Sequence, residues 1–325
     1  MNDRSAERAL IESTRPFATE LPAKSWLSLV GTFGLLAALT LVAALAKPWP
    51  VRALASVLEG LTIVRAFILF HDHLHGAIFR GSRPVRALFY LFGMTVMTPA
   101  PVWRETHNYH HAHTAKIVGS HVGSYAMVTT EMWRRMSARE RRAYRSVRHP
   151  LTILFAYFTV FTLGMGLSPF LRSPRKHANA GATVLLHVSA WTAAAWLHVL
   201  PAFLFAFALP LMIACTLGAY LFYAQHNFPD MHVQPRESWS YARAALESSS
   251  YMEMGPVMRF FTGNIGYHHV HHLNPVIPYY RLPEAMAAIP ELQSPGRTSL
   301  RPRDILACLQ LKLWDPASDR MVGYF

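Results

Sequence analysis

Acidic side chains are scarce in this chain. Against 31 lysines and arginines stand only 18 aspartates and glutamates, and charged residues of both signs make up 15% of the 325 positions. So little charge, beside a hydrophobic share of 52%, departs from the usage of soluble domains and points to burial in lipid. Cysteine is almost missing as well. Cys215 and Cys308 provide no disulfide framework and no thiolate spacing of the zinc type. Low-complexity tracts are absent, and the one recurring pattern is a short histidine motif. The net charge of +13 would elsewhere raise nucleic acid as a partner. Here the basic residues flank apolar runs, so headgroups and the positive-inside rule account for them and no nucleic acid is expected.

What the chain does have is long apolar runs. Residues 26–46 carry no charge and are long enough to span about 30 Å of hydrocarbon. Ala44-Leu45-Ala46 resembles a signal-peptidase site, but the run exceeds the usual apolar core of a signal peptide and its leader is not simply basic, so a retained first span is expected. Residues 52–70 return after the Lys47-Pro48-Trp49-Pro50 turn. They carry Glu59 and Arg65, which should face protein rather than lipid. Residues 182–200 and 202–223 form a second pair turning at Pro201, while 85–102 and 151–171 read as re-entrant or interfacial. Arg148 before 151–171 and Arg172, Arg175 and Lys176 after it place both ends of that stretch on the cytoplasmic side.

The expectation is an all-α integral membrane protein, with about four transmembrane helices in two hairpins plus re-entrant and interfacial helices. Residues 1–25 form a loose cytoplasmic segment, and 26–325 a single membrane domain. Within it, 26–102 is the first hairpin and interfacial helix, 103–150 a cytoplasmic segment, 151–223 the re-entrant stretch and second hairpin, and 224–325 a cytoplasmic helical cap. Helices are expected over 239–254 and 256–262, and short helices and turns beyond 284. Seven arginines between 133 and 150 (Arg134, Arg135, Arg139, Arg141, Arg142, Arg145, Arg148) read as a helix facing solvent or headgroups, with an acidic electron-transfer partner as the sharper alternative.

Histidine is where the chemistry lies. The chain has 18, and eight fall in three clusters: His71 with His75; His107, His110 and His111; and His268, His271 and His272. On a helix, positions i, i+3 and i+4 fall within one arc, so each cluster aims two or three imidazoles at one region. Neutral imidazole suits Fe, Zn, Cu and Ni, and these are too many ligands for one ion. A two-metal site built almost wholly from histidine is expected. His73 faces away from the His71–His75 pair, and His113 and His121 lack the spacing. Asp72 and Glu105 are candidate acceptors for an imidazole N–H, with Asn264 beside the last cluster as a third outer partner. His226 stands alone at a membrane mouth, and chemistry leaves it open as a ligand. His187 and His198, inside apolar runs, have no convincing partner for haem. An apolar substrate in the bilayer offers only C–H bonds, and attacking them needs O2 activated at a redox metal, for which iron is the most available candidate. The residues alone do not separate removal of two hydrogens from insertion of oxygen, so a hydroxylase of alkanes, carotenoids or sphingoid lipids stays open. A metal transporter would need ionisable residues at mid-membrane, and spans 26–46 and 202–223 offer none.

Three ordered motifs carry a resemblance. They are His71-Asp72-x-x-His75-Gly76, Trp103-Arg104-x-x-His107-Asn108-x-His110-His111, and Gly263-Asn264-Ile265-Gly266-Tyr267-His268-His269-Val270-His271-His272-Leu273. Together with Phe222-Tyr223-Ala224-Gln225-His226, Ala245-Leu246-Glu247-Ser248-Ser249-Ser250-Tyr251 and Pro278-Tyr279-Tyr280-Arg281-Leu282, they make residues 60–285 resemble the membrane fatty acid desaturase family, closest to its acyl-lipid delta-12 or omega-type branch. The resemblance implies an oxidoreductase with two iron ions per chain, held by His71, His75, His107, His110, His111, His226, His268, His271 and His272. It also implies an acyl-lipid or fatty acyl substrate and O2. The pattern departs at His73-Leu74, where the family often has Cys-Gly, which bears on substrate choice rather than on the ligands. No His-Pro-Gly-Gly signature of a fused cytochrome b5 domain is present, so a separate ferredoxin or cytochrome b5 type donor is expected.

Overall fold

Helix formation follows the apolar runs because a backbone in lipid must satisfy its own hydrogen bonds. In a computed structural model, which describes residues 3–117 and 122–325, three helices are long and apolar enough to cross a membrane. These are Pro22–Leu45, Trp49–His75 and the continuous stretch Leu200–Gln225. A fourth candidate is the pair Arg83–Thr95 and Ala100–Ala112, bent by 89° at a short break. The break falls where Pro99 and Pro101 stand, as proline's missing N–H requires. Of residues 182–200, expected as a crossing, 182–196 lie in the helix Ala178–Trp196. That helix is not among the three, since Asn179 and His187 dilute its apolar character.

Two compact units are formed, one from Met1–Glu20, Thr106–Pro150 and Tyr220–Phe325, the other from Leu21–Glu105 and Leu151–Ala219. In the second unit, Pro22–Leu45 packs along Trp49–His75. Its two mid-span charges find polar partners: Thr40 Oγ1 donates to Glu59 at 2.6 Å, and Arg65 Nε donates to Thr32 Oγ1 at 3.1 Å. Phe67, Phe70, Phe89, Phe92 and Trp103 form a cluster of tilted and edge-to-face rings at the end of the second span. His187 is held by the Tyr157 hydroxyl at 2.9 Å and the Met94 carbonyl at 3.0 Å. Residues 151–171 are not one plain helix: Tyr157–Leu167 is wound as a π-helix between two short α-helical turns.

The first unit corrects three expectations. It is not purely helical: Tyr251–Glu253 pairs in parallel with Arg297–Ser299, and Leu313–Asp315 antiparallel with Arg320–Val322. The helix expected over 239–254 stops at Glu247, because Ser248–Ser250 end it and Tyr251 begins a strand. The N-terminal segment is not loose. It forms the helix Asp3–Ser13 and a 3-10 turn Arg15–Ala18. Thr14 there is fully buried and accepts from Asn274 Nδ2 at 2.7 Å, while Arg281 donates to the Pro16 carbonyl at 2.8 Å.

Candidate metal centre

The helix Ala100–Ala112 presents His107, His110 and His111 in its last turns. His226 follows directly on the helix Leu209–Gln225. The six-residue helix His268–Leu273 carries the third cluster and is buried throughout. Its placement depends on the loop before it. Gly263 and Asn264 take left-handed backbone at φ 50 and 55, a conformation that glycine and asparagine tolerate best. The Gly266 carbonyl accepts the Met252 N–H at 2.8 Å, and a Cβ at Gly266 would lie 2.5 Å from the Met252 carbonyl oxygen. Gln225 Nε2 ties the same loop down through the Ile265 carbonyl at 2.7 Å.

Within this unit the imidazoles gather at two points. His107, His111 and His271 form one group, with ligand nitrogens within 4.8 Å of one another, and His110, His226 and His272 form another. His268 joins the second, its Nε2 2.9 Å from His226 Nε2. Each helix splits between the groups: the i, i+4 pair His107 and His111 goes to one and His110 to the other, while His268 and His272 go to the second and His271 to the first. Neighbouring Nε2 atoms are 3.0 Å apart for His110–His226 and His107–His111, and 3.1 Å for His111–His271. An ion binding two imidazoles at right angles with bonds of about 2.1 Å holds their nitrogens about 3.0 Å apart. The groups therefore have the edges of a coordination shell.

The tautomers agree. The Ser248 carbonyl lies 3.0 Å from His226 Nδ1 and can only accept, so the proton sits on Nδ1 and Nε2 keeps its lone pair. That one lone pair faces both His110 and His268. It can serve a single donor, whereas a cation accepts all three nitrogens. Thr114 Oγ1 donates to the His110 carbonyl at 2.9 Å and so receives His272 Nδ1–H at 3.1 Å. His272 Nε2 is left buried with no hydrogen-bond partner among the described residues. Burial pushes the His226 imidazole down to about 4 and His272 well below its ordinary value, the latter helped by neighbouring imidazoles. Uncharged nitrogens with orphaned lone pairs fit a metal ion.

His71 and His75 belong to the other unit. Their rings pack at 4.6 Å, and Trp103 lies edge-on to His71 at 5.3 Å. His71 Nδ1 lies 3.0 Å from Asp72 Oδ1, so Asp72 orients the histidine beside it in sequence. Gly76 closes the helix with φ 73. His73 turns away, its ring 5.2 Å from Phe89. Glu105 and Asn264 lie elsewhere than on an imidazole: Glu105 pairs with Lys176 at 2.6 Å, and Asn264 Nδ2 donates to the Tyr279 carbonyl. His113 bonds the Tyr109 carbonyl, and His121 lies outside the described residues.

Three features escaped the sequence reading. His269 is buried with its Nε2 on the Leu292 carbonyl, locking the third cluster from behind. Thr114 supports His272, and its place one turn after His110 was the available signal. Arg148 is 1% exposed rather than solvated, and reaches Ala126, Asn227 and Tyr223. A cavity of about 30 Å³, room for one water, lies among His110, Tyr125, Arg148, Phe222 and His226.

Residues 47–303 match the family model for fatty acid desaturases. A fatty acid desaturase of Bacillus subtilis is 30% identical over 273 residues, covering 84% of this chain and 77% of that protein. An sn-1 oleoyl-lipid 12-desaturase of Synechocystis sp. is 24% identical, covering 84% of this chain and 77% of its own. An sn-2 acyl-lipid omega-3 desaturase (ferredoxin) of Arabidopsis thaliana is 25% identical, covering 82% of this chain and 61% of its own. The chain belongs to the fatty acid desaturase family. It is a membrane fatty acid desaturase, an oxidoreductase working on acyl chains.

Proposed function

We propose that this desaturase holds two irons on nine histidines and introduces a double bond into the acyl chain of a membrane lipid. His107, His111 and His271 serve one ion, and His110, His226, His268 and His272 the other. By ligand count, His71 and His75 go to the ion with three. The observation carrying this is the set of converging Nε2 atoms at 2.9 to 3.1 Å, including a lone pair on His226 that two neighbours face.

When bound, iron would supply oxidation of an unactivated C–H bond by O2. The balance is –CH2–CH2– with O2, two electrons and two protons going to –CH=CH– and two waters. The chain's own part is to keep seven imidazoles of one unit neutral and aimed, through Ser248, Thr114 and the buried third cluster. It also excludes bulk water from them, since His107, His110, His111, His268, His271 and His272 are all buried. The electrons come from a separate ferredoxin or cytochrome b5 type carrier. Four spans in two hairpins, with both ends of 151–171 and the site on the cytoplasmic side, follow from the basic residues Arg172, Arg175 and Lys176. His226 and the third cluster then open on that same side.

Expression in a heterologous host with mass profiling of its lipids tests the reading. A product two hydrogens lighter and two irons per chain are expected, with both lost in the His271→Ala, His272→Ala double variant. A product heavier by one oxygen, or stoichiometric zinc from iron-replete cells, would overturn it.

A further inference from the structure

The seven arginines between 133 and 150 divide by helical phase. Arg141 and Arg148, at i and i+7, turn inward, and Arg145 between them stays exposed with its guanidinium lying against two rings. Arg141 Nε donates to the Trp133 carbonyl at 3.0 Å, Arg145 stacks over Trp133 and Tyr324, and Arg148 is buried. Arg139 and Arg142 are exposed on the opposite face, with Arg134 and Arg135 exposed beside them. Little on this surface neutralises them. Glu131 pairs with Arg135, and Glu140 is taken up in the capping box with Ser137. Arg134, Arg139 and Arg142 have no ion pair among the described residues.

We propose that this exposed arginine face, on the helix Ala138–Val147 with Arg134 and Arg135, docks a small acidic one-electron carrier protein, and that Arg148 links it to His226. The proposal rests on the desaturase reading, which needs two electrons from outside the chain. Each docking oxidises one reduced carrier by one electron, and two dockings complete one double bond with O2 and two protons.

Two observations favour a protein over a lipid surface. A helix lying in a bilayer interface buries an apolar face of Trp, Phe and Leu. The only large apolar side chain that this helix exposes is Val147, and its apolar ring Tyr144 is buried against Trp133. The second observation is the link inward. Arg148 caps the same helix, and its guanidinium bonds the side-chain oxygen of Asn227, the residue next to His226. From Arg148 to a candidate ligand the path is two side chains joined by one hydrogen bond, then one peptide unit. A buried arginine with no carboxylate partner is costly. Its Nε has no hydrogen-bond partner among the described residues, and a buried positive charge near the imidazoles favours accepting an electron.

The test uses the full chain in nanodiscs of neutral lipid and, as probe, an acidic [2Fe–2S] ferredoxin. Binding is measured on metal-free protein, so it does not depend on iron or turnover. Arg139→Glu with Arg142→Glu is expected to weaken carrier binding about tenfold or more and to flatten its salt dependence, with an unchanged melting temperature. The Lys pair should retain binding. In iron-loaded protein, Arg148→Gln should leave carrier affinity intact and slow reduction by bound carrier, while reduction by dithionite stays the same. Carrier affinity indifferent to the charge reversal overturns the proposal. So does a reversal that instead abolishes attachment to anionic phosphatidylglycerol vesicles while carrier binding persists. Loss of dithionite reduction in Arg148→Gln overturns the link. Failure of the desaturase reading would show separately, as a chain that binds carrier and makes no unsaturated product.

Discussion

Thr114 illustrates how much one hydroxyl decides. It sits one turn past His110, gives its proton to the backbone there, and so has only a lone pair for His272. Partners of this kind typically account for a 10- to 100-fold change in metal affinity. Thr114→Val is expected to lower iron retention by about that factor, read by chelator competition, with little change in lipid attachment. Gly266→Ala presses a methyl onto the Met252 carbonyl, and overpacking of this kind costs roughly 1–3 kcal/mol. The variant should melt lower and lose iron together. Lys312 donates from Nζ to the Arg148 carbonyl at 2.8 Å, and burial beside that guanidinium lowers it to about 8. Its unfolded value is 10.5, so between pH 8 and 10.5 the unfolded chain binds the extra proton. Its contribution to stability is full above that window and lost as pH falls through it. Lys312→Met should therefore flatten the rise of melting temperature between pH 8 and 10.5, and an unchanged slope would contradict this. At this scale the spacing of His107, His110 and His111 showed that their imidazoles would gather with others. It did not say that His110 serves a different point from its neighbours, because which nitrogens meet is set by chain segments more than a hundred residues away. Arg148 was readable in principle, since it stands seven residues, two helical turns, after the half-buried Arg141 and one turn after the buried Tyr144.

Among the elements, the helix Ala138–Val147 announces its start in sequence: Ser137 and Glu140 exchange side-chain bonds with each other's backbone. Ser137→Ala should cost about 1 kcal/mol, and hydrogen exchange in the first turn should rise while the histidine helices stay protected. Other elements were hidden. Residues 151–171 are apolar enough for a plain helix, and nothing in their composition marks the wider turns of Tyr157–Leu167. Tyr251–Glu253 is a strand because Arg297–Ser299 offers it a partner and the Gly266 carbonyl another, contacts that local propensity does not register. The N-terminal helix was missed for a related reason. Its polar composition reads as free, yet Asn274 and Arg281 reach back to hold Thr14 and Pro16.

At the scale of the whole chain, the apolar runs 26–46 and 52–70 were legible because hydrocarbon thickness dictates length. The run at 182–200 is less apolar than the other spans because His187 stands within it. The proposed topology can be checked by single-cysteine labelling in intact cells. Cysteines at Lys47 and His198 should react with a membrane-impermeant reagent from outside, and one at Lys176 only after lysis. Labelling of Lys176 in intact cells would refute the two-hairpin arrangement.

The crossed allegiance of the two histidine helices has a practical outcome for assembly. Since each helix contributes to both histidine groups, an ion filling either of the two proposed positions would arrest the side chains that prepare its neighbour. Metal uptake should then be steeply cooperative. A culture starved of iron would yield a mixture of empty and fully charged molecules, with singly charged ones rare, and native mass spectrometry of the purified population would resolve them.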